Sequence, residues 1–249
     1  MKEAGYTTGG VVSNVNLAES FGFAQGYDDY YYLGPDYIAY AEESSSKLIV
    51  YQLARQVFLG IAGGDEVRFN DFYQDSKVVN ETAFEWIDRR KDDRFFLFLH
   101  YMDPHDPYFE HPYNGVGIAR VSMQEPKPEI ADRLQDLYRG EIEYLDVQFG
   151  DLLAKLDALG LYDDTVIVVT ADHGEEFNEH GGFWHGLTLY EEQIHVPLLI
   201  KWAKGHEPDA PGIYSGIARL LDVGPTLLGV TGIAVPEGMQ GVDLREPFS

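Results

Sequence analysis

The chain has 249 residues, a length that suits one large α/β domain or two small ones. Hydrophobic residues make up 45% and aromatics 14%, enough apolar material for a sizeable core, so global disorder is excluded. A net charge of −24, from 42 acidic and 18 basic residues, repels nucleic acid and anionic membranes and sets both aside as partners, and the lack of Cys excludes disulfides and thiolate chemistry.

The opening "MKEAGYTTGG" has no apolar core of a signal peptide and reads as the end of a helix begun upstream. "GGVVSNV" (9–15) is a β-type run, and "GFAQGYDDYYYLGP" reads as loop. A helix is expected from about Asp36 to Ile61; its apolar part is interrupted by Gln52, Arg55 and Gln56, so it is no membrane span. "NETAFEWIDRRKDD" reads as a second helix, and "RFFLFLHYM" (94–102) as a buried strand. "DPHDPYFEHPYNG" must be irregular, because each Pro removes a donor and restrains its predecessor. Tyr138, Ile142, Leu145, Phe149, Leu152, Leu156 and Leu159 recur at steps of three and four, which puts one apolar stripe on a helix from about Glu129 to Leu159, stopped at Gly160. Next come a strand at 165–171, a helical turn at "LYEEQI", a strand at 196–202 and a short helix around Pro225. Strands separated by amphipathic helices give an α/β class with a mostly parallel sheet, in one domain over 1–249.

The chemistry concentrates in two places. "ADHGEEFNEHGGFWHG" (171–186) follows the 165–171 strand, where open α/β sheets bind ligands, and Gly174 lets the backbone bend there. Asp172 and His173 suit a metal pair, with a helix cap and a satisfied imidazole as the plainer reading. His180 reads as a brace or an outer-layer residue that orients the ligands. His185 reads as an anion donor or a leaving-group acid, or else as an exposed loop histidine. In "LHYMDPHDPY", Pro104 and Pro107 hold His105 in one orientation, while Asp103 starts the turn or supports the site from behind; His111 reads as surface. The chain has no His-Glu-x-x-His, no Gly-x-Ser-x-Gly and no P-loop. Asn80-Glu81-Thr82 forms a glycosylation sequon, read as chance.

These strings, together with "EAGYTTGGVVSN", "YRGEIEYLDVQFGDLLAKLDALGLYDDTVIVVTADHGEEF" and "HGLTLYEEQIHVPLLIKW", resemble the sulfatase family of the alkaline-phosphatase superfamily, most specifically over 138–202. The resemblance implies a three-layer sandwich with a mostly parallel central sheet flanked by helices, and hydrolysis of a small-molecule or glycan sulfate ester. It implies a divalent cation, Ca²⁺ first with Zn²⁺ or Mn²⁺ as alternatives, at Asp172 and His173. It also implies that His105 contacts the sulfuryl group, that His185 stands where many members carry a sulfate-binding Lys, and that Asn14 lies in the substrate-binding segment. The family's Cys-x-Pro-x-Arg or Ser-x-Pro-x-Arg nucleophile string does not occur here, so the chain reads as an N-terminally truncated portion, inactive alone. Phosphodiesterase, phosphonate hydrolase and phosphoglycerol transferase chemistry of the same superfamily, or a non-catalytic binding module, are the alternatives. Compartment is undetermined, although relatives are often periplasmic or secreted.

Overall fold

The computed structural model describes residues 1–35, 73–114, 117–120, 123–207 and 212–245; the helix expected over 36–61 lies outside them. The described residues gather into two compact units, one of Lys2 and Tyr6–Leu152, the other of Met1, Glu3–Gly5 and Leu153–Ser249.

The sheet of the first unit has β1 (Thr7–Val12) at its centre, with β2 (Asp29–Tyr32) and β3 (Phe95–His100) on either side, both parallel to it. Helix α1 (Ser76–Arg90) starts on Asp75, whose carboxylate accepts from the Val78 N–H at 3.1 Å, and ends in Arg89 and Arg90, which suit the negative end of the helix dipole. It buries Val79, Ala83, Trp86 and Ile87. Two glycines of β1 admit large neighbours: a Cβ on Gly9 would stand 2.6 Å from the Trp86 ring, and one on Gly10 would stand 2.7 Å from Tyr30. The Trp86 indole N–H donates to Asp29 at 2.8 Å, which ties α1 to β2. The strand β2 corrects the loop expected there. "DYYY" carries no alternating pattern, yet its aromatic residues suit a pleated edge and its backbone pairs Asp29 to Tyr32 with Gly9 to Val12.

After β3 the chain makes a short antiparallel pair, β4 (Tyr108–Phe109) with β5 (Gly117–Ile118), and then the long helix α2 (Ala131–Ala158). The buried stripe of α2 overlaps the expected one: Leu152 and Leu156 are buried and Tyr138, Leu145, Phe149 and Leu159 half-buried, while Leu134, Leu137, Glu141 and Gln148 join them and Ile142 is exposed. The inclusion of Glu141 has a polar cause. Glu141 accepts from the Phe109 N–H at 2.5 Å and lies 2.9 Å from His111 Nε2.

In the second unit β6 (Ile167–Thr170) and β9 (Leu198–Lys201) pair antiparallel, the exception that a mostly parallel arrangement allows. Between them lie the hairpin β7 (Glu176–Phe177) and β8 (Phe183–Trp184) and the four-residue helix α3 (Glu191–Ile194), with no long helix of the kind that usually carries a parallel crossover. Helix α4 (Leu220–Val230) contains Pro225. Gly160 ends α2 at φ 69°, with the Leu161 N–H returning to the Leu156 carbonyl at 2.8 Å.

Candidate functional site

In the second unit Asp172 and His173 follow β6 after Ala171. The Asp172 side chain is 82% exposed, and its Oδ1 accepts from the His173 N–H at 3.1 Å. His173 Nδ1 lies 2.8 Å from the Gly174 carbonyl oxygen. A carbonyl only accepts, so Nδ1 carries the hydrogen and Nε2 of the neutral ring keeps its lone pair. That Nε2 stands 3.9 Å from Asp172 Oδ1. An imidazole whose second nitrogen is held by a carbonyl is the arrangement that metal-ligating histidines adopt, so the ring leaves Nε2 available as a donor atom beside the Asp172 carboxylate.

Gly174 serves the pair differently from the bend expected of it. Its N–H donates to the Gln193 carbonyl at 2.8 Å, and a Cβ there would stand 2.1 Å from the Glu192 carbonyl oxygen. The requirement is therefore close approach of two backbones.

The ring of His185 stacks on that of His173, with centroids 4.0 Å apart. Its Nδ1 faces the buried carboxylate of Glu175 at 3.1 and 3.3 Å, a partner the sequence reading missed although it lies in the same "DHGEEF" string. Directly before His185, Trp184 is buried at φ 72°, a strained conformation for a bulky residue. His180 donates from Nδ1 to Glu192 at 2.6 Å and stacks on Tyr190 at 3.7 Å, the contacts of a brace. Ligand atoms of Glu176, His180 and Glu192 converge within 4.8 Å of one another. The Glu176 carboxylate, however, already accepts from the Gly182 N–H at 2.8 Å and from Gln193 Nε2 at 2.9 Å, which ties it to the hairpin.

In the first unit the 103–107 loop leaves the carboxyl end of β3, and Asn14 lies two residues past the end of β1; Val12 and His100 are register partners, so both leave the same sheet edge. Asn14 Oδ1 accepts from the Asn16 N–H at 2.8 Å and caps a turn. His105 Nδ1 donates to the Asp106 carbonyl at 2.7 Å, its N–H donates to Met102, and the Tyr73 hydroxyl donates to the His105 carbonyl at 3.3 Å. Asp103 is fully buried, and its Oδ1 accepts from Ser76 N–H at 3.1 Å and Ser76 Oγ–H at 2.9 Å. Burial pushes its carboxyl up to about 7 against the Ser76 hydrogen bonds, with the Glu141 and Asp75 charges adding to the rise. His111, read from the sequence as surface, is nearly buried in its pair with Glu141 and stacks on Tyr144 at 4.4 Å, because the pair is what makes a buried Glu141 tolerable.

Comparison with known proteins gives these residues a family. The chain is 28% identical to arylsulfatase K of Mus musculus over 172 residues, 66% of this chain and 28% of that protein. It is 29% identical to an ulvan-active sulfatase of Formosa agariphila over 196 residues, 73% of this chain and 37% of that protein. The chain thus spans well under half the length of these curated relatives. A phosphonate monoester hydrolase from Silicibacter pomeroyi superposes with a TM-score of 0.65 at 18% identity, over 100% of this chain and 60% of that one. The fold is the α/β fold of the alkaline-phosphatase superfamily. Among the described residues no helix is long and apolar enough to cross a membrane. The sulfatase family model matches residues 1–233, nearly the whole chain, and the chain belongs to the sulfatase family.

Proposed function

We propose that the chain supplies one metal-ligand pair and the anion-binding imidazoles of a metal-dependent hydrolase of sulfuric esters. The observation that carries this reading is the His173 ring, pinned through Nδ1 to the Gly174 carbonyl, with Nε2 beside the Asp172 carboxylate and the His185 ring stacked on it. A divalent cation bound there, Ca²⁺ or else Zn²⁺ or Mn²⁺, would polarise the sulfuryl oxygens. Asp172 and His173 hold it. His185, held by Glu175 through Nδ1, donates from Nε2 to the ester when its ring is cationic and so neutralises the charge that develops on it. The family resemblance gives His105, whose ring is fixed through Nδ1, the sulfuryl contact, and gives one of His105 and His185 the protonation of the departing alcohol. Asn14 binds a second ester oxygen through its amide hydrogens, and Asp103 and His180 keep their loops in place. The substrate is a small-molecule or glycan sulfate, the latter in keeping with the ulvan-active relative.

These 249 residues contain no Cys and no Ser-x-Pro-x-Arg string, so on their own they turn over no ester. The test uses protein preparations with and without further upstream sequence, assayed in parallel on an aryl sulfate, a phosphate diester and a phosphonate monoester. Sulfate turnover by the longer protein that falls at least about a hundredfold in Asp172→Ala and in His185→Ala supports the reading. Turnover by the 249 residues alone contradicts it. Preference for the phosphorus esters moves the chain to the second reading, a phosphodiesterase or phosphonate hydrolase. An imidazole ligand at 173 favours that reading too, because it suits Zn²⁺ or Mn²⁺ better than Ca²⁺.

A further inference from the structure

The Asp103 side chain is 0% exposed and only half satisfied. Oδ1 takes both Ser76 donors, while Oδ2 is buried and meets no hydrogen-bond donor among the described residues. Among the described residues, the titratable groups around it come from several elements. Asp75 and Tyr73 lie at the start of α1, Tyr101 at the end of β3, Glu141 and Tyr144 on α2, and Asp106 and His111 on the loop itself. His111 is engaged by Glu141, and the charges that act on Asp103 are the carboxylates of Glu141 and Asp75. An ionised Asp103 would thus be a buried anion with one oxygen that meets no donor, repelled by the charges of Glu141 and Asp75, and protonation removes that charge from the interior. The same carboxyl joins the His105 loop to the N-terminus of α1.

We propose that the loop 103–111 is a proton latch: it docks on the start of α1 while Asp103 holds its proton, and it loosens when that proton leaves. This goes beyond the hydrolase reading and does not depend on it. The direction follows from linkage. The docked carboxyl is raised from the ordinary 3.8 to about 7, so docking is strongest in acid, weakens as pH rises towards 7 and stays weak above it. Each pH unit in that window is worth about a tenfold change in the docking constant.

The test follows the side-chain carboxyl of Asp103 by ¹³C NMR in the 249-residue chain, together with amide exchange at His105 and Phe109, whose N–H groups bond Met102 and Glu141. The expected result is an Asp103 midpoint near 7, with exchange that accelerates about tenfold per unit beyond base catalysis from pH 5 to 7 and then levels. Asp103→Asn, which keeps the acceptor for Ser76, should remove that extra acceleration. A wild-type midpoint near 4, or identical exchange profiles in the two proteins, overturns the proposal. Should Asp103→Asn fail to fold, Ser76→Ala decides: it removes a hydroxyl that favours the anion, so the Asp103 midpoint must rise, and a midpoint that stays or falls overturns the latch. None of these readouts uses an ester or a cation, so failure here leaves the hydrolase reading standing, and the reverse also holds.

Discussion

At the scale of single residues, Gly174 and Asn80 show how sequence and structure divide the information. The string "DHGEEF" identifies Asp172, His173 and a glycine between them and the acids. It does not say that the glycine is needed because the Glu192 carbonyl passes within 2.1 Å of any Cβ there. Gly174→Ala should therefore push α3 away from the loop and cost about 2 kcal/mol or more, read by thermal melting, with the His173 ring signals shifted in NMR spectra. Asn80 forms a sequon on paper, but its side chain is 2% exposed, its Nδ2 donates to the Gln148 carbonyl at 2.7 Å and its Oδ1 accepts from Tyr101 at 2.7 Å. Chain recovered from a glycosylating host should carry no glycan at Asn80 by peptide mass spectrometry. The partners of His185 and His111, the acids Glu175 and Glu141, were not legible because nothing local distinguishes a carboxylate that meets an imidazole 10 or 30 positions away from one that meets water.

At the scale of elements, the long helices and the apolar strands were legible, whereas β2 and the two-residue strands of the hairpins were not. The α2 helix runs Ala131–Ala158 against an expected 129–159, since Leu and Ala at helical spacing and a left-handed Gly160 leave little choice. Its stripe was read only in part, because a buried Glu141 does not look apolar. Gly160→Ala should lower stability by about 1 kcal/mol in chemical denaturation, since φ there is 69°. In α4, Pro225 removes the donor for the Leu221 carbonyl, and Gly241 packs against that oxygen, where a Cβ would stand 2.3 Å away. The same helix is held by Asp222, fully buried, whose carboxylate accepts from the Arg219 side chain and from the Val242 N–H at 2.9 Å. Hydrogen bonds from Arg219 hold this carboxyl below its usual 3.8 against the cost of burial. Its folded value lies below its unfolded value, so its contribution is present at neutral pH and is lost as pH falls below 4 through the folded value. Asp222→Ala should cost about 2 kcal/mol at pH 7 and correspondingly less in strong acid, read from melting curves at the two pH values.

At the scale of the whole molecule, the lack of Cys excluded disulfides, and the order of motifs pointed to the sulfatase family, which the family match over 1–233 bears out. The antiparallel return of β9 was hidden, because strand direction depends on how many residues the connection spends on a crossover, and the intervening loop spends them on a hairpin instead. The central claim concerns the pair after β6, and it is tested most directly by adding Mn²⁺ in steps to the isotopically labelled 249-residue chain and following paramagnetic broadening residue by residue. The account predicts that broadening centres on Asp172, His173 and Gly174 and disappears in Asp172→Asn. Broadening centred on Glu176, His180 and Glu192, or none at millimolar ion, would contradict it.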